Sequence, residues 1–219
     1  MNPRTITFIL ALGWLSVTAQ SDLALAVVKY GGGGDWYANP TALPNLARFC
    51  NQNLGTTLQV QPQTIELSSP NLFNYPWIHL TGHGNILLTE NEVSNLRSYL
   101  LAGGFLHADD NYGLKTAFLR EMKRVFPELD WVQLSKDHPV FQRPYSFPQG
   151  LPKIHEHDGQ PPVAMALYTG NRMMALFTYE TDLGDGWEDP AVHNDPEEVR
   201  QKALKMGANL VYYAFYGGQ

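Results

Sequence analysis

Apolar runs of strand length alternate with amphipathic stretches of helical period along most of this chain, and the connections between them are short. Each buried strand needs cover on both faces, and the intervening helices supply it. The pattern therefore predicts an α/β three-layer sandwich around a mostly parallel sheet. Leu23 to Tyr30 reads as a first strand ending in Gly31-Gly32-Gly33-Gly34. Asn39 and Pro40 open a helix with the inward stripe Leu43, Leu46, Ala47 and Cys50. Thr57 to Leu67, Trp77 to Thr81 and Phe105 to Ala108 read as the next three strands. Thr89 and Glu92 form a capping box for the helix of Val93, Leu96 and Leu100, and Leu114, Phe118, Met122 and Val125 mark another. Trp131 to Phe147, rich in proline and aromatic residues, reads as irregular. Val163 to Tyr168 and Arg172 to Thr178 flank Gly170-Asn171, a hairpin turn signal that makes this C-terminal pair antiparallel. A loop from Asp182 to Asp195 precedes a last helix, with Asp195 as its cap, Pro196 at its first position and Val199, Ala203, Met206 and Leu210 as its stripe.

The first residues follow another logic. Arg4, an apolar stretch from Ile6 to Val17 and the small-residue site Val17-Thr18-Ala19 have the layout of a secretory leader, predicted over residues 1–19 and cut after Ala19. The stretch is shorter than the roughly 20 residues a spanning helix needs. The expectation is an exported protein, periplasmic or secreted, with no stable membrane span after cleavage and a single domain over residues 20–219. The whole chain has 15 Lys plus Arg against 21 Asp plus Glu; without Arg4 the basic count is 14, and no dense basic run is present. This argues against nucleic acid or anionic lipid as a partner. The single cysteine, Cys50, sits on a helix stripe with nothing adjacent to lower its pKa, so chemistry must come from other side chains.

Three polar clusters fall where strands are expected to end, the usual place for ligands in an open parallel sheet. In the first, the glycines 31–34 let a backbone approach a ligand, and Asp35, Trp36 and Tyr37 offer an acceptor and a flat wall. No phosphate-loop lysine follows, which excludes nucleoside triphosphate binding of that kind. The second joins Thr81-Gly82-His83-Gly84 to His107-Ala108-Asp109-Asp110-Asn111. Strand alternation puts His107 and Asp109 on one face and turns Asp110 towards the next helix. The third, His155-Glu156-His157-Asp158, presents two histidines on one side of an extended segment. That spacing suits a divalent metal such as zinc, an acid/base or binding site, or a structural polar knot. Beyond it, Asp182 to Asp189 lacks the terminal glutamate of a calcium loop; Trp187 is expected to anchor it over the site, with Asp185, Glu188 and His193 on the rim.

Taken in order, Gly31 to Tyr37, Thr81 to Asn85, Gly103 to Asn111, Lys153 to Gly159 and Asp182 to Pro190 resemble the bacterial domain of unknown function 4159 family. That family looks similar in fold to the class I glutamine amidotransferase-like superfamily, a flavodoxin-like sheet that also includes trehalose-utilisation-type proteins. The resemblance implies a fold and a site without a named reaction. The turn that would carry the amidotransferase cysteine, Phe105 to Asn111, has none, which excludes thiolate glutaminase chemistry. Two readings follow. One is a hydrolase-like site for a small polar or carbohydrate-like ligand, with His107, Asp109 and Asp110 in acid/base roles, His155 and His157 as metal ligands, and Asp35, Trp36, Tyr37, His83, Asn111, Asp158, Trp187 and Glu188 around the ligand. The other is a non-catalytic binding or envelope assembly module that docks through Trp36, Tyr37 and Trp187.

Overall fold

The computed structural model describes residues 23–217; the leader expected over residues 1–19 lies outside the described residues. In chain order the elements are β1 (Leu25–Lys29), α1 (Ala42–Leu54), β2 (Gln63–Glu66), β3 (Trp77–Gly82), α2 (Glu90–Leu101), β4 (Phe105–Asp110) and α3 (Lys115–Val125), then β5 (Val132–Gln133), β6 (Val163–Thr169), β7 (Arg172–Tyr179), α4 (Leu183–Trp187), α5 (Pro190–His193) and α6 (Glu197–Tyr216). The strands make one sheet in the order β2-β1-β3-β4-β7-β6-β5. The first five run parallel, whereas β7 with β6 and β6 with β5 are antiparallel. Among the described residues no helix is long and apolar enough to cross a membrane.

Strand alternation divides the core into two layers. Leu25, Trp77, Phe105 and Leu176 face α1, α4 and α6. Ala26, Val28, Ile78, Leu80, Leu106 and Ala108 face α2 and α3. Cys50 is buried in the first layer, and burial pushes its thiol up to about 12, so it packs as a small apolar group.

The structure departs from the sequence reading in several places: β5 lies at the start of the stretch read as irregular, β4 runs on to Asp110, and others have a clear physical reason. The second strand is confined to Gln63–Glu66, with only an isolated bridge from Leu58 to Leu23 upstream; Pro62 has no N–H to give a ladder and stands just before it. Asn39 and Asp195 do not cap helices. The cap of α1 is Thr41 and that of α6 is Pro196, while the Asn39 and Asp195 side chains are spent on Asp185 and His155. The segment read as a loop from Asp182 to Asp195 folds into α4 and α5.

The chain leaves β1 for an edge strand on one side and returns to β3 on the other, so the loops after these two strands flank a topological switch point.

Candidate functional site

A cluster of histidines and carboxylates forms beyond the end of β7. The carbonyl of Thr181 accepts from the backbone N–H of Ile154 at 2.9 Å and of His155 at 3.3 Å, which fastens the strap carrying His155 and His157 against Asp182. His155 Nδ1 lies 3.4 Å from Asp182 Oδ2 and 3.3 Å from Asp185 Oδ2, and its Nε2 is 3.0 Å from Asp195 Oδ1. His193 Nε2 lies 3.7 Å from Asp185 Oδ2 and 3.3 Å from Glu188 Oε2. His157 Nε2 meets the same Asp182 oxygen, and its ring stacks on Tyr112. Donor atoms of His155, Asp185 and His193 all fall within 4.8 Å of one another. These side chains stay reachable from solvent, at 23%, 13% and 30% exposure.

Asp185 and Glu188 are each oriented so that one oxygen is turned to the histidines. Asp185 Oδ1 accepts from the Asn39 amide at 2.7 Å, leaving Oδ2 for the histidines. Glu188 Oε1 accepts from the Thr41 backbone and hydroxyl at 3.2 and 3.1 Å, leaving Oε2 for His193. Asp182 is fully buried, and its Oδ1 has no partner among the described residues. Hydrogen bonds that His155 donates to Asp182 and Asp185 push it up to about 11; burial opposes them and Asp195 adds to them. Burial works against the charge of Asp185, but His155, His193 and Asn39 still hold its carboxyl below the usual range. The cluster is thus a strong attractor of positive charge. All five non-glycine residues at positive φ among the described residues surround it: Asn39, Tyr112, Glu180, Asp182 and Asn194. Such conformations cost roughly 1–3 kcal/mol each and persist where surrounding contacts over-determine them.

Behind the cluster, the face of β3 and β4 turned towards α4 carries a hydrogen-bonded line. His79 and His107 are register partners, fully buried, with their Nδ1 atoms 3.2 Å apart, between Trp77 and Trp187. His107 Nε2 reaches Thr178 Oγ1 at 3.0 Å, and that hydroxyl donates to Asp109 Oδ1. The line thus runs from His79 through His107 and Thr178 to Asp109. His79 Nε2 is left without a partner among the described residues. Asp109 Oδ2 accepts the Gly184 N–H at 2.7 Å, pinning the first turn of α4. A Cβ at Gly184 would sit 2.7 Å from Asn39 Nδ2, so only glycine lets these groups close on one another. Burial raises Asp109 to about 8, against bonds from Thr178 and Gly184 and with help from Asp182 and Asp185.

The remaining predicted residues separate. Asp110 lies on the opposite sheet face, where it accepts from the backbone N–H of Tyr112, Leu114 and Lys115 at the entry to α3. His107 is closed off from solvent. So is Trp187, whose indole donates to Ala203 O at 2.8 Å in the core; it anchors α4 from below and belongs to no exposed docking face. Asn111 is buried and bridges Thr81 to Asn39. Asp158 is exposed and accepts from the Tyr112 hydroxyl. Asp35 and His83 pair with one another, beside Trp36 and an exposed Tyr37. The clefts of about 790, 570 and 550 Å³ are lined by none of His155, Asp185 and His193. Sequence reasoning placed Asp185 and His193 only on a rim, took Asn39 and Asp195 for caps, and passed over His79 inside an apolar strand.

The family model of a domain of unknown function, DUF4159, matches residues 24–215. The chain belongs to the DUF4159 family. Comparison with curated proteins gives no match. In this DUF4159 domain the segments Gly103 to Asn111, Lys153 to Gly159 and Asp182 to Pro190 supply the cluster and its supports, while Gly31 to Tyr37 and Thr81 to Asn85 meet at the Asp35–His83 pair.

Proposed function

We propose that this protein is an exported, metal-centred, hydrolase-like protein acting on a small polar or carbohydrate-like ligand, with His155, Asp185 and His193 holding one divalent cation such as zinc. The observation that carries this reading is the orientation of the carboxylates: Asn39 and Thr41 each occupy one oxygen of Asp185 and Glu188 and leave the other turned to two imidazoles. Two histidines and a carboxylate, with coordination left over, are a donor set suited to catalytic zinc. The orphaned Asp182 oxygen fits a cation close by, and Asp195 on the far nitrogen of His155 is the outer carboxylate that fixes a ligand imidazole. A cation held there supplies Lewis acidity towards a carbonyl or phosphoryl oxygen or towards water.

In this reading Glu188 and Asp182 tune the site, His157 lines it, and Trp36 and Tyr37 offer a wall for the ligand. Asp109 and His107 position α4 instead of exchanging protons with a ligand, and Asp110 serves α3. The strand order β2-β1-β3-β4 followed by one more parallel strand is that of flavodoxin-like sheets, which supports kinship with the glutamine amidotransferase-like superfamily. Calorimetric titration of zinc into chelator-washed protein tests the metal reading. One site per chain is expected, weakened at least tenfold by Asp185→Asn or His193→Ala; no uptake, or uptake indifferent to both changes, contradicts it.

A further inference from the structure

At the switch point between β1 and β3 stands a second constellation, separate from the histidines of the metal reading. Asp35 follows β1 and His83 follows β3. His83 Nδ1 lies 3.0 Å from Asp35 Oδ2, and the other carboxylate oxygen accepts the His83 backbone N–H, so two bonds lock the pair. The loops that deliver them are interlocked: Gly34 N–H donates to Asn85 O at 3.0 Å, Leu87 N–H to Gly31 O at 2.8 Å, and the Asn85 amide to Gly32 O at 3.2 Å. Gly82, at φ 131°, is required for the approach, because a Cβ there would lie 2.6 Å from Tyr30 Oη and 2.8 Å from Asp35 Oδ1. The imidazole is 52% exposed, and its Nε2 has no partner among the described residues.

We infer that Asp35 and His83 form a general-base dyad that activates water against an ester bond in a polar, ring-bearing ligand. The carboxylate accepts from Nδ1–H and so fixes the tautomer with the Nε2 lone pair facing outward. A water held against Nε2 gives up a proton to it as the water oxygen bonds to the acyl carbon. The bond from that carbon to the leaving oxygen then breaks, and the leaving oxygen takes the proton back from Nε2. Asp35 stabilises the imidazolium that exists between the two transfers. Trp36 and Tyr37, edge to face at 5.6 Å with Tyr37 66% exposed, give the ligand ring a flat apolar surface beside the dyad. The turn that begins at Asp35, closed by Ala38 N–H on Asp35 O, leads into Asn39, the residue that holds Asp185. One turn of chain therefore links the dyad to the support of the cation site.

Hydrolysis of p-nitrophenyl acetate by the full chain, with and without chelator, tests the dyad apart from the metal. Wild-type protein is expected to accelerate it in both conditions. His83→Gly should lower the rate by about tenfold or more, within the reach of a single general base, and added imidazole should restore it. Asp35→Asn should lower it while His83→Gln stays equally slow without chemical rescue. In parallel, ¹⁵N resonances should report the Nδ1–H tautomer of His83 in wild type and a mixture in Asp35→Asn. No hydrolysis by wild-type protein, an unchanged rate in folded His83→Gly, or a deficit that imidazole leaves in place overturns the inference. Loss of activity only on adding chelator would overturn it too, by assigning the chemistry to the cation.

Discussion

At Asp185 the two carboxylate oxygens have different fates, one held by a neutral amide and one left to the histidines, and this division sets the chemistry of the cluster. The buried histidines behind it obey the opposite rule. Burial holds His79 down to about 3, partly offset by its bond to His107, and burial together with His79 holds His107 well below its usual 6.5. Unfolded, both would take up protons near 6.5, so below that pH the unfolded chain binds more protons and stability falls as the pH drops. Asp109 and His155, raised on folding, act in the opposite sense, so the test is a difference: between pH 6.5 and 5 the urea midpoint of wild type is expected to lose ground against that of the His79→Leu/His107→Leu double variant, and parallel profiles refute the assignment. Asp110→Ala removes the acceptor for three backbone N–H groups and should cost about 1–2 kcal/mol by denaturant titration. Part of this was legible in sequence: strand alternation separates Asp109 from Asp110 and sends Asp110 towards α3, as found. His79 was not, because it is hidden in a run of apolar residues and a buried imidazole pair packs like one.

Among the elements, α4 positions most of the cluster: Asp185 lies within it, and Asp182 and Glu188 flank it. A five-residue helix has no stability of its own; Trp187 in the core, Asp109 on Gly184 and Asn45 on the Trp187 carbonyl hold it in place. Trp187→Ala should therefore cost about 3–5 kcal/mol and also weaken zinc binding, although Trp187 touches no proposed ligand. Zinc affinity unchanged in a folded Trp187→Ala variant would show that α4 is held by other means. The regular elements were readable because apolar period and turn residues are local signals, as in the capping box at Thr89 and the hairpin at Gly170. The segment from Asp182 to Asp195 was not, because α4 depends on contacts with α1 and α6, α1 far away in sequence. Helix starts were misread at Asn39 and Asp195 for the same reason: residues suited to caps were committed to the site.

For the whole molecule, the sheet gathers residues from loops at 35–45, 81–85, 109–112, 153–158 and 180–195 onto one rim. His155 and His193 stand far apart in the chain, so only the fold brings them together. Ligation by the folded chain alone makes stability depend on metal concentration: zinc at a hundred times its dissociation constant should add about 2.7 kcal/mol, seen as a rise in the urea midpoint that chelator reverses and Asp185→Asn abolishes. The most direct test is crystallographic. Crystals grown with zinc and measured on both sides of the zinc absorption edge should show one strong anomalous peak about 2.0–2.2 Å from His155, Asp185 and His193. Density only elsewhere, or none, would contradict a metal centre at this rim.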